Sequence, residues 1–241
     1  MPRLLPLAAL IALAALTGCI NAPDSSDSDK KSNRSNGDVT ADSSGAHAVN
    51  GSIHVAAGLT AGEVDTVNGS IHIDDNATLA AAHTVNGGIN VGAGATADSL
   101  NTVNGGITLA ERAHVARAVT SVNGNLKLDS GADVGGTLNN VNGDIKLTAA
   151  HVGGGIQTTS GNIDVGANSH VEGGIHVQKQ SGGFFGWGSN RKPRIVIHAG
   201  AVVQGDLKFE REVELYVSDK ATIGPVTGAT PVKFSGDNPP G

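Results

Sequence analysis

Histidines are the first residues in this sequence whose type and spacing favour chemistry. His54 and His72 occupy equivalent positions in two copies of a repeated motif, and His176 occupies the corresponding position farther along the chain. Two imidazoles stacked by a structural repeat are able to share a metal ion. A metal site needs three or four ligands, however, and no carboxylate or cysteine accompanies these histidines at a useful spacing. We therefore predict no metal and no cofactor, and we expect the histidines to lie on a solvated face.

Clustered carboxylates are the second such group, because polysaccharide lyases and hydrolases use them for acid/base work. Asp74 and Asp75 are adjacent, and Glu210, Glu212 and Glu214 alternate in a way that would place three carboxylates on one side of a strand. The alternative is a charged face exposed to solvent. No Ser/His/Asp arrangement, phosphate-binding loop or dinucleotide fingerprint stands out. We predict a non-enzymatic protein and no catalytic residue.

Cys19 is the one cysteine, and its surroundings explain it. Arg3 and a short apolar run over residues 4–16 precede it, which is typical of an export signal and too short for a membrane-spanning helix. Leu16-Thr17-Gly18-Cys19 resembles the lipobox of bacterial lipoproteins. The resemblance implies cleavage between Gly18 and Cys19. The alternative is an ordinary cleaved signal that contains a cysteine by chance.

The lipoprotein resemblance also implies a location. Cys19 would become the first residue, acylated on sulfur and nitrogen by chains such as palmitate, and several acyl chains give stable anchoring. Ile20, not Asp, is the next residue. By analogy with lipoprotein sorting in Gram-negative bacteria, this implies the outer membrane. The expected partner is therefore a membrane, contacted through the lipid.

Charge and composition narrow the remaining partners and the kind of core. The formal net charge is −6, and loss of Arg3 with the signal leaves 22 acidic against 15 basic residues. This balance argues against nucleic acid as a partner and against attachment to anionic lipid by charge alone.

Aromatic residues make up only 2% of the chain. The core must therefore be narrow and built from Val, Ile, Leu and Ala.

An internal repeat dominates the rest of the chain. Val49-Asn50-Gly51-Ser52-Ile53-His54-Val55 returns at nearly constant intervals, beginning again at Val67, Val85, Val103, Val122 and Val141. Apolar residues also recur at every sixth position, as at Val49, Val55, Ala61 and Val67. Two inward positions separated by one outward residue indicate strands, and three such sides per repeat indicate a triangular coil. The fold class is all-β, a single-stranded parallel β-helix of 18–19 residues per coil.

Each coil of such a solenoid pairs with the next, so equivalent residues stack in columns. One asparagine column is predicted to form a structural ladder at the Asn-Gly corners, where side-chain amides bond to each other or to the backbone. Its members are Asn50, Asn68, Asn86, Asn104, Asn123 and Asn142.

Four regions follow from these patterns. A signal peptide covers 1–18. Cys19 and a linker occupy 19–45, where Ser, Asp, Asn and Lys abound and too little apolar surface exists to fold. The β-helix covers 46–225, and a tail or cap covers 226–241.

Two families resemble parts of the repeat. Val-Asn-Gly-Gly-Ile-Asn at 85–90 resembles the β-strand-repeat putative adhesins, including the "head GIN" domains, which are exported bacterial proteins. Residues 195–209, with Ala-Thr-Ile-Gly at 221–224, look like bactofilins, which are right-handed triangular β-helices that polymerise end to end. Bactofilins are typically cytoplasmic, and the export signal departs from that pattern.

A third family shares the 18-residue coil but not the pattern within it. Left-handed hexapeptide acyltransferases generally have a small residue two before each aliphatic one. Ile or Leu often occupies that position here, as at Ile53, Ile71 and Ile89. The comparison favours a right-handed coil.

Residues 178–194 interrupt the repeat. They contain Phe184, Phe185 and Trp187, half of the six aromatic residues in the chain. One interpretation is a loop that folds back over apolar surface of the solenoid. The other is an exposed aromatic tip that enters a membrane interface or docks a partner.

Together these features predict a non-enzymatic, lipid-anchored envelope protein whose solenoid acts as an adhesin-like surface, a scaffold or a spacer. The alternative is a bactofilin-like protein whose coils stack end to end through self-association. A polysaccharide-active enzyme is a more distant alternative. An envelope partner, unidentified in the sequence, fits the first prediction.

Overall fold

The computed structural model describes residues 34–179 and 191–239, which form an all-β parallel solenoid. The first fourteen strands are β1 (Arg34–Ser35), β2 (Val39–Thr40), β3 (Gly45–Asn50), β4 (Ile53–Val55), β5 (Thr60–Asn68), β6 (Ile71–Ile73), β7 (Thr78–Asn86), β8 (Ile89–Val91), β9 (Thr96–Asn104), β10 (Ile107–Leu109), β11 (His114–Val115), β12 (Val119–Asn123), β13 (Leu126–Leu128) and β14 (Asp133–Val134). The other fourteen are β15 (Leu138–Asn142), β16 (Ile145–Leu147), β17 (His151–Val152), β18 (Ile156–Thr158), β19 (Ile163–Val165), β20 (His170–Val171), β21 (Ile175–Val177), β22 (Arg194–Ile197), β23 (Val202–Val203), β24 (Leu207–Phe209), β25 (Glu214–Ser218), β26 (Thr222–Ile223), β27 (Val226–Thr227) and β28 (Val232–Phe234). No helix long and apolar enough to cross a membrane occurs among these residues.

The strands stack into three parallel faces, which confirms the predicted coil. The first face is an 11-stranded sheet that runs from β2 through β4 and β6 to β28. The long strands β5, β7 and β9 bend across a corner, and beyond them β11 and β12 pair separately with the two halves of β9. These halves begin the second and third faces. The offset between neighbouring coils is nearly constant over most of the solenoid and matches the sequence repeat, as in the pairs Ile71–Ile89 and Ile107–Leu126. The right-handed sense of the coil stays a prediction.

A continuous apolar core runs along the axis. On the first face, each coil places one branched aliphatic residue directly above its equivalent, and burial of each such side chain contributes about 1.5–3 kcal/mol. None of these side chains is more than 2% exposed: Ile53, Ile71, Ile89, Ile107, Leu126, Ile145, Ile163, Ile195 and Leu215.

On the third face, the buried residue lies one position before the residue that the six-residue pattern predicts to be buried. The valine of the Val-Asn-Gly motif was expected to face inward, yet Val49 is 42% exposed. The residue before that valine in the later coils is buried instead, at Thr66, Thr84 and Thr102. Each threonine hydroxyl donates a hydrogen bond of 2.9 Å to a glycine carbonyl of the preceding coil. Since Thr and Val have similar shapes, this hydrogen bond explains why Thr occupies the interior at the corner.

A second corner has a left-handed backbone in every coil, from Gly58 to Gly200. The conformation disfavours most side chains, and glycine adopts it without cost. Asparagine also tolerates it, whereas Arg112 (φ 56°) and Ala149 (φ 45°) are strained there. The column consists of Gly58, Asn76, Gly94, Arg112, Gly131, Ala149, Asn168 and Gly200.

The solenoid extends beyond the bounds expected from sequence at both ends. β1 and β2 lie in the segment expected to be a linker, and Val39 pairs with Ile53. β27 and β28 add strands in the segment expected to be a tail. The interruption expected at 178–194 follows β21 and reaches the first residue of β22, where Ile163 pairs with Ile195 across an enlarged coil. The stack therefore continues in register past the insertion.

Candidate functional site

Polar side chains cover the outside of the solenoid, and the histidines among them contact carboxylates. The expectation of no carboxylate near His54, His72 and His176 is wrong for His54 and His176, and five other histidines also contact carboxylates. The pairs are His47–Asp65 (2.9 Å), His54–Asp74 (2.8 Å), His83–Glu63 (3.1 Å), His114–Asp133 (2.7 Å), His151–Asp133 (2.5 Å), His176–Glu210 (3.0 Å) and His198–Asp164 (2.9 Å).

The densest group lies on the long strands β5 and β7. Glu63 and Asp65 alternate along β5 and both face outward, and His83 lies on β7 directly above Asp65 in the parallel register. One donor atom from each of the three residues lies within 4.8 Å of the other two. We call Glu63, Asp65 and His83 the β5–β7 cluster. Among the described residues it is the one group of three that gathers possible metal ligands so closely.

The surroundings of Asp65 in the β5–β7 cluster disfavour its ionised form. Burial raises the pKa of the Asp65 carboxyl, and the nearby Glu63 carboxylate raises this pKa further. His83 and His47 act in the opposite direction by charge, and His47 also by its hydrogen bond. The side chain of Asp65 is 17% exposed, so solvent screens this repulsion only in part.

A second group follows one column of the second face, where His114, Asp133, His151 and His170 occupy successive coils. Asp133 lies between two histidines and accepts a hydrogen bond from each. Burial alone would raise the pKa of Asp133, but the hydrogen bonds from His151 and His114 outweigh it and lower this pKa. The same bond to Asp133 raises the pKa of His151, and a further contact with Glu172 adds to the effect.

These shifts predict a pH-dependent stabilisation by Asp133. The His151 contribution is complete below about pH 6.5 and is lost as pH rises through its raised pKa. The Asp133 contribution is present above about pH 3.8 and is lost as pH falls through its lowered pKa. Asp133→Asn should therefore lower the unfolding temperature most near pH 5 and less near pH 8. Both side chains are more than a third exposed, so we expect a loss of at most about 1 kcal/mol.

Asp98→Asn provides the matched control, because Asp98 pairs with Arg117, whose charge does not change in this range. Thermal unfolding followed by circular dichroism at both pH values measures the two differences. An Asp133→Asn deficit of the same size at pH 5 and pH 8 would contradict the assigned coupling.

The asparagine column lies at the Val-Asn-Gly corner as the repeat predicts. Each Nδ2 group donates to the Oδ1 atom of the equivalent asparagine one coil earlier, at 2.8–2.9 Å from Asn68 to Asn142. Asn50 continues the column by donating to Asn36 at 3.1 Å. Asn36 was missed because its separation from Asn50 is shorter than the interval of the repeat.

Of the histidine column considered from the sequence, the structure contains the stack of His54 and His72. His176 is not equivalent to them, because it lies on β21 in the other sheet, in register with Gln157 and Lys208. His54 and His72 are in register on β4 and β6. His54 bonds through Nε2 to Asp74, whereas His72 contacts Asn90 at 3.4 Å. The two rings therefore have different partners.

Glu210 and Glu212, two of the acidic residues considered for acid/base work, are paired with cationic groups. They lie between β24 and β25 and not on one strand with Glu214, so the expected row of three carboxylates on a strand is wrong. Hydrogen bonds from Lys208, His176 and the backbone N–H of Lys179 lower the pKa of Glu210 to about 2. Glu212 lies 3.0 Å from Lys192. A carboxyl with so low a pKa is ionised at neutral pH and is not suited to donate a proton as a general acid.

The remaining predicted site residues lie outside the described residues. They are the lipidation and cleavage residues Gly18 and Cys19 and the aromatic residues Phe184, Phe185 and Trp187.

Comparison with known proteins gives no relative: no family model, no curated protein and no solved structure matches the chain.

Proposed function

We propose that the protein is a non-enzymatic lipoprotein of the bacterial envelope, whose β-solenoid serves as a stiff rod. It would act as an adhesin-like surface, a scaffold or a spacer. Cys19 would carry the lipid that anchors it in the outer membrane. The observation that carries this proposal is the unbroken stacking of strands from β2 to β28 on one face. The ten intervals between these eleven strands, at about 4.8 Å each, give a rod about 48 Å long.

The surface of the rod supports a structural role. Its outward columns include ladders, such as the asparagine ladder and the column from His114 to His151, in which polar groups bond to their equivalents in adjacent coils. Such contacts stiffen the repeat along its axis. The lipobox-like residues 16–19 would connect this rod to a membrane.

Lipid attachment is tested by Cys19→Ala in the full-length protein produced in a Gram-negative host. We expect wild-type protein to incorporate an alkyne-labelled palmitate and to sediment with membranes. The Cys19→Ala protein should lose the label and most of its membrane association, since anchoring depends on the acyl chains. Restoring a thiol elsewhere, as Ser25→Cys in the Cys19→Ala background, should not restore labelling. Wild-type protein that carries no label, or a Cys19→Ala protein that stays in the membrane pellet, would overturn the lipoprotein proposal.

A second candidate function is end-to-end assembly, favoured by the C-terminal coil. β26, β27 and β28 each pair with one neighbour among the described strands, and Val232 is 48% exposed. Unpaired strand edges are templates for further pairing. Sedimentation velocity of the unlipidated protein over a range of concentrations distinguishes the two functions. Growth into filaments one coil wide favours assembly, and a monomer throughout favours the tethered rod.

A further inference from the structure

The β5–β7 cluster combines an imidazole with two carboxylates on a rigid support. Glu63 and Asp65 are held by β5, which pairs in parallel with both β3 and β7 along its length. The backbone positions of all three residues are therefore set by the sheet, and only side-chain torsions remain to be adjusted. Rigid positioning of this kind reduces the entropic cost of gathering ligands around an ion.

One distance within the cluster already matches that expected in a tetrahedral metal site. His83 Nε2 lies 3.1 Å from Glu63 Oε1. Two ligand atoms that bind one zinc ion at about 2.0–2.1 Å are about 3.3 Å apart in tetrahedral geometry. The third ligand atom, from Asp65, is within 4.8 Å of both. Small torsional changes of the Glu63 and Asp65 side chains would therefore bring the three atoms around one ion.

Space is available for that movement. The residues in register with Glu63 are Gly45 in the preceding coil and Ala81 in the following coil. Both are small, so no bulky neighbour in this column stands between Glu63 and the histidine one coil above.

Two further side chains, His47 and Asn101, contact the possible ligands Asp65 and His83. His47 Nδ1 contacts Asp65 at 2.9 Å, and Asn101 Nδ2 lies 3.0 Å from His83 Nδ1. Metal-bound histidines and carboxylates are generally oriented by such outer contacts, and a ring N–H on Nδ1 finds an acceptor when the Asn101 amide turns over. His47, Asp65, His83 and Asn101 form one column of four successive coils.

From this geometry we propose that Glu63, Asp65 and His83 form a binding site for a divalent transition-metal ion of the Zn²⁺ class, with solvent as the fourth ligand. The donor set decides the class. A mixed imidazole and carboxylate set suits Zn²⁺, whereas Ca²⁺ and Mg²⁺ prefer oxygen ligands alone. The ion would also relieve the repulsion that acts on the carboxyl of Asp65. The proposal does not depend on the lipid anchor or on the rod function.

Isothermal titration calorimetry of the purified full-length protein with ZnCl₂, in a buffer free of chelating anions, tests the site. We expect one tight Zn²⁺ equivalent in the wild-type protein that excess Mg²⁺ does not displace. His83→Ala and Asp65→Asn should each weaken its binding by at least about tenfold. Affinity should also fall as the pH is lowered, because metal ligands must be deprotonated.

His72→Ala is the matched control, since it removes one surface imidazole on a different face, where the ring contacts Asn90. It should bind Zn²⁺ like the wild-type protein. Circular dichroism of each variant verifies that the solenoid is intact. Equal affinity in the wild-type and His83→Ala proteins, or no binding below about 100 µM, would overturn the proposal. Loss of binding in the His72→Ala protein alone would place the ion elsewhere and would overturn it as well.

Discussion

Replacement of Gly87 by alanine should cost about 3 kcal/mol or more of folding free energy, the upper range for overpacking. A Cβ atom on Gly87 would lie 2.0 Å from the carbonyl oxygen of Gly69 in the preceding coil. The obstacle is backbone, so no side chain can move aside. That carbonyl also accepts the buried hydroxyl of Thr84, and a shift of the coil would break this bond. Urea or thermal unfolding followed by circular dichroism measures the loss, as a fall of about 6–12 °C in the midpoint.

The neighbouring glycine supplies a control for the Gly87 prediction. Gly88 corresponds in the repeat to Ser52 and Ser70, and a Cβ atom there would lie 3.1 Å from the nearest atom, the oxygen of Gly106. Gly88→Ser should therefore change stability by less than about 1 kcal/mol. If both variants unfold at the same denaturant concentration, the close approach of the coils at Gly87 is not what requires glycine.

Truncation of Leu126 to alanine should destabilise the solenoid by about 3 kcal/mol, within the range for large-to-small changes in a packed core. Leu126 is fully buried, and Ile107 and Ile145 are its partners in the adjacent coils. The cavity would lie near the middle of the stack, where β-strands on both sides resist collapse. Because each coil contacts only its neighbours, the loss should also reduce the cooperativity of unfolding. A lower urea midpoint with a shallower transition is the expected result.

Val49→Ala is the comparison for Leu126→Ala. Val49 belongs to the repeated motif and was expected inside from its six-residue spacing, but it is 42% exposed. Its truncation should cost less than about 0.5 kcal/mol. A loss comparable to that of Leu126→Ala would contradict the orientation of the third face.

The sequence predicts the coil because stacked coils place equivalent residues in register. The interval between Ile53 and Ile71 in the repeat is the same interval that the parallel pairing uses. The interval does not indicate which of two adjacent residues turns inward. At Thr66 and Val67 the choice depends on a hydrogen bond to a glycine carbonyl one coil away, and such a bond has no signature in hydrophobic periodicity. The sequence also does not predict that Val39 is buried in a strand, because polar residues surround it and no apolar alternation is visible there.

Only part of the candidate metal site can be predicted from the sequence. One repeat interval beyond His47 lies Asp65, and one more interval leads to His83, so this column follows from the repeat. Glu63 is two positions away from the column and reaches His83 diagonally across coils. That contact depends on side-chain length and on the small neighbours of Glu63. The repeated motif draws attention only to the column of His54 and His72, which has no third ligand at a useful spacing, and the sequence therefore predicts no metal.

The asparagine ladder gives the rod a dipole along its axis. Backbone hydrogen bonds between coils alternate in sense, as in Ile53 N–H to Ser70 and Asp74 N–H to Val55, so their dipoles largely cancel. The side-chain amides from Asn50 to Asn142 all donate toward the N-terminal end, where Asn36 accepts the last bond. Their dipoles add along the axis and polarise one another. Two rods joined end to end would continue this alignment only in a head-to-tail arrangement.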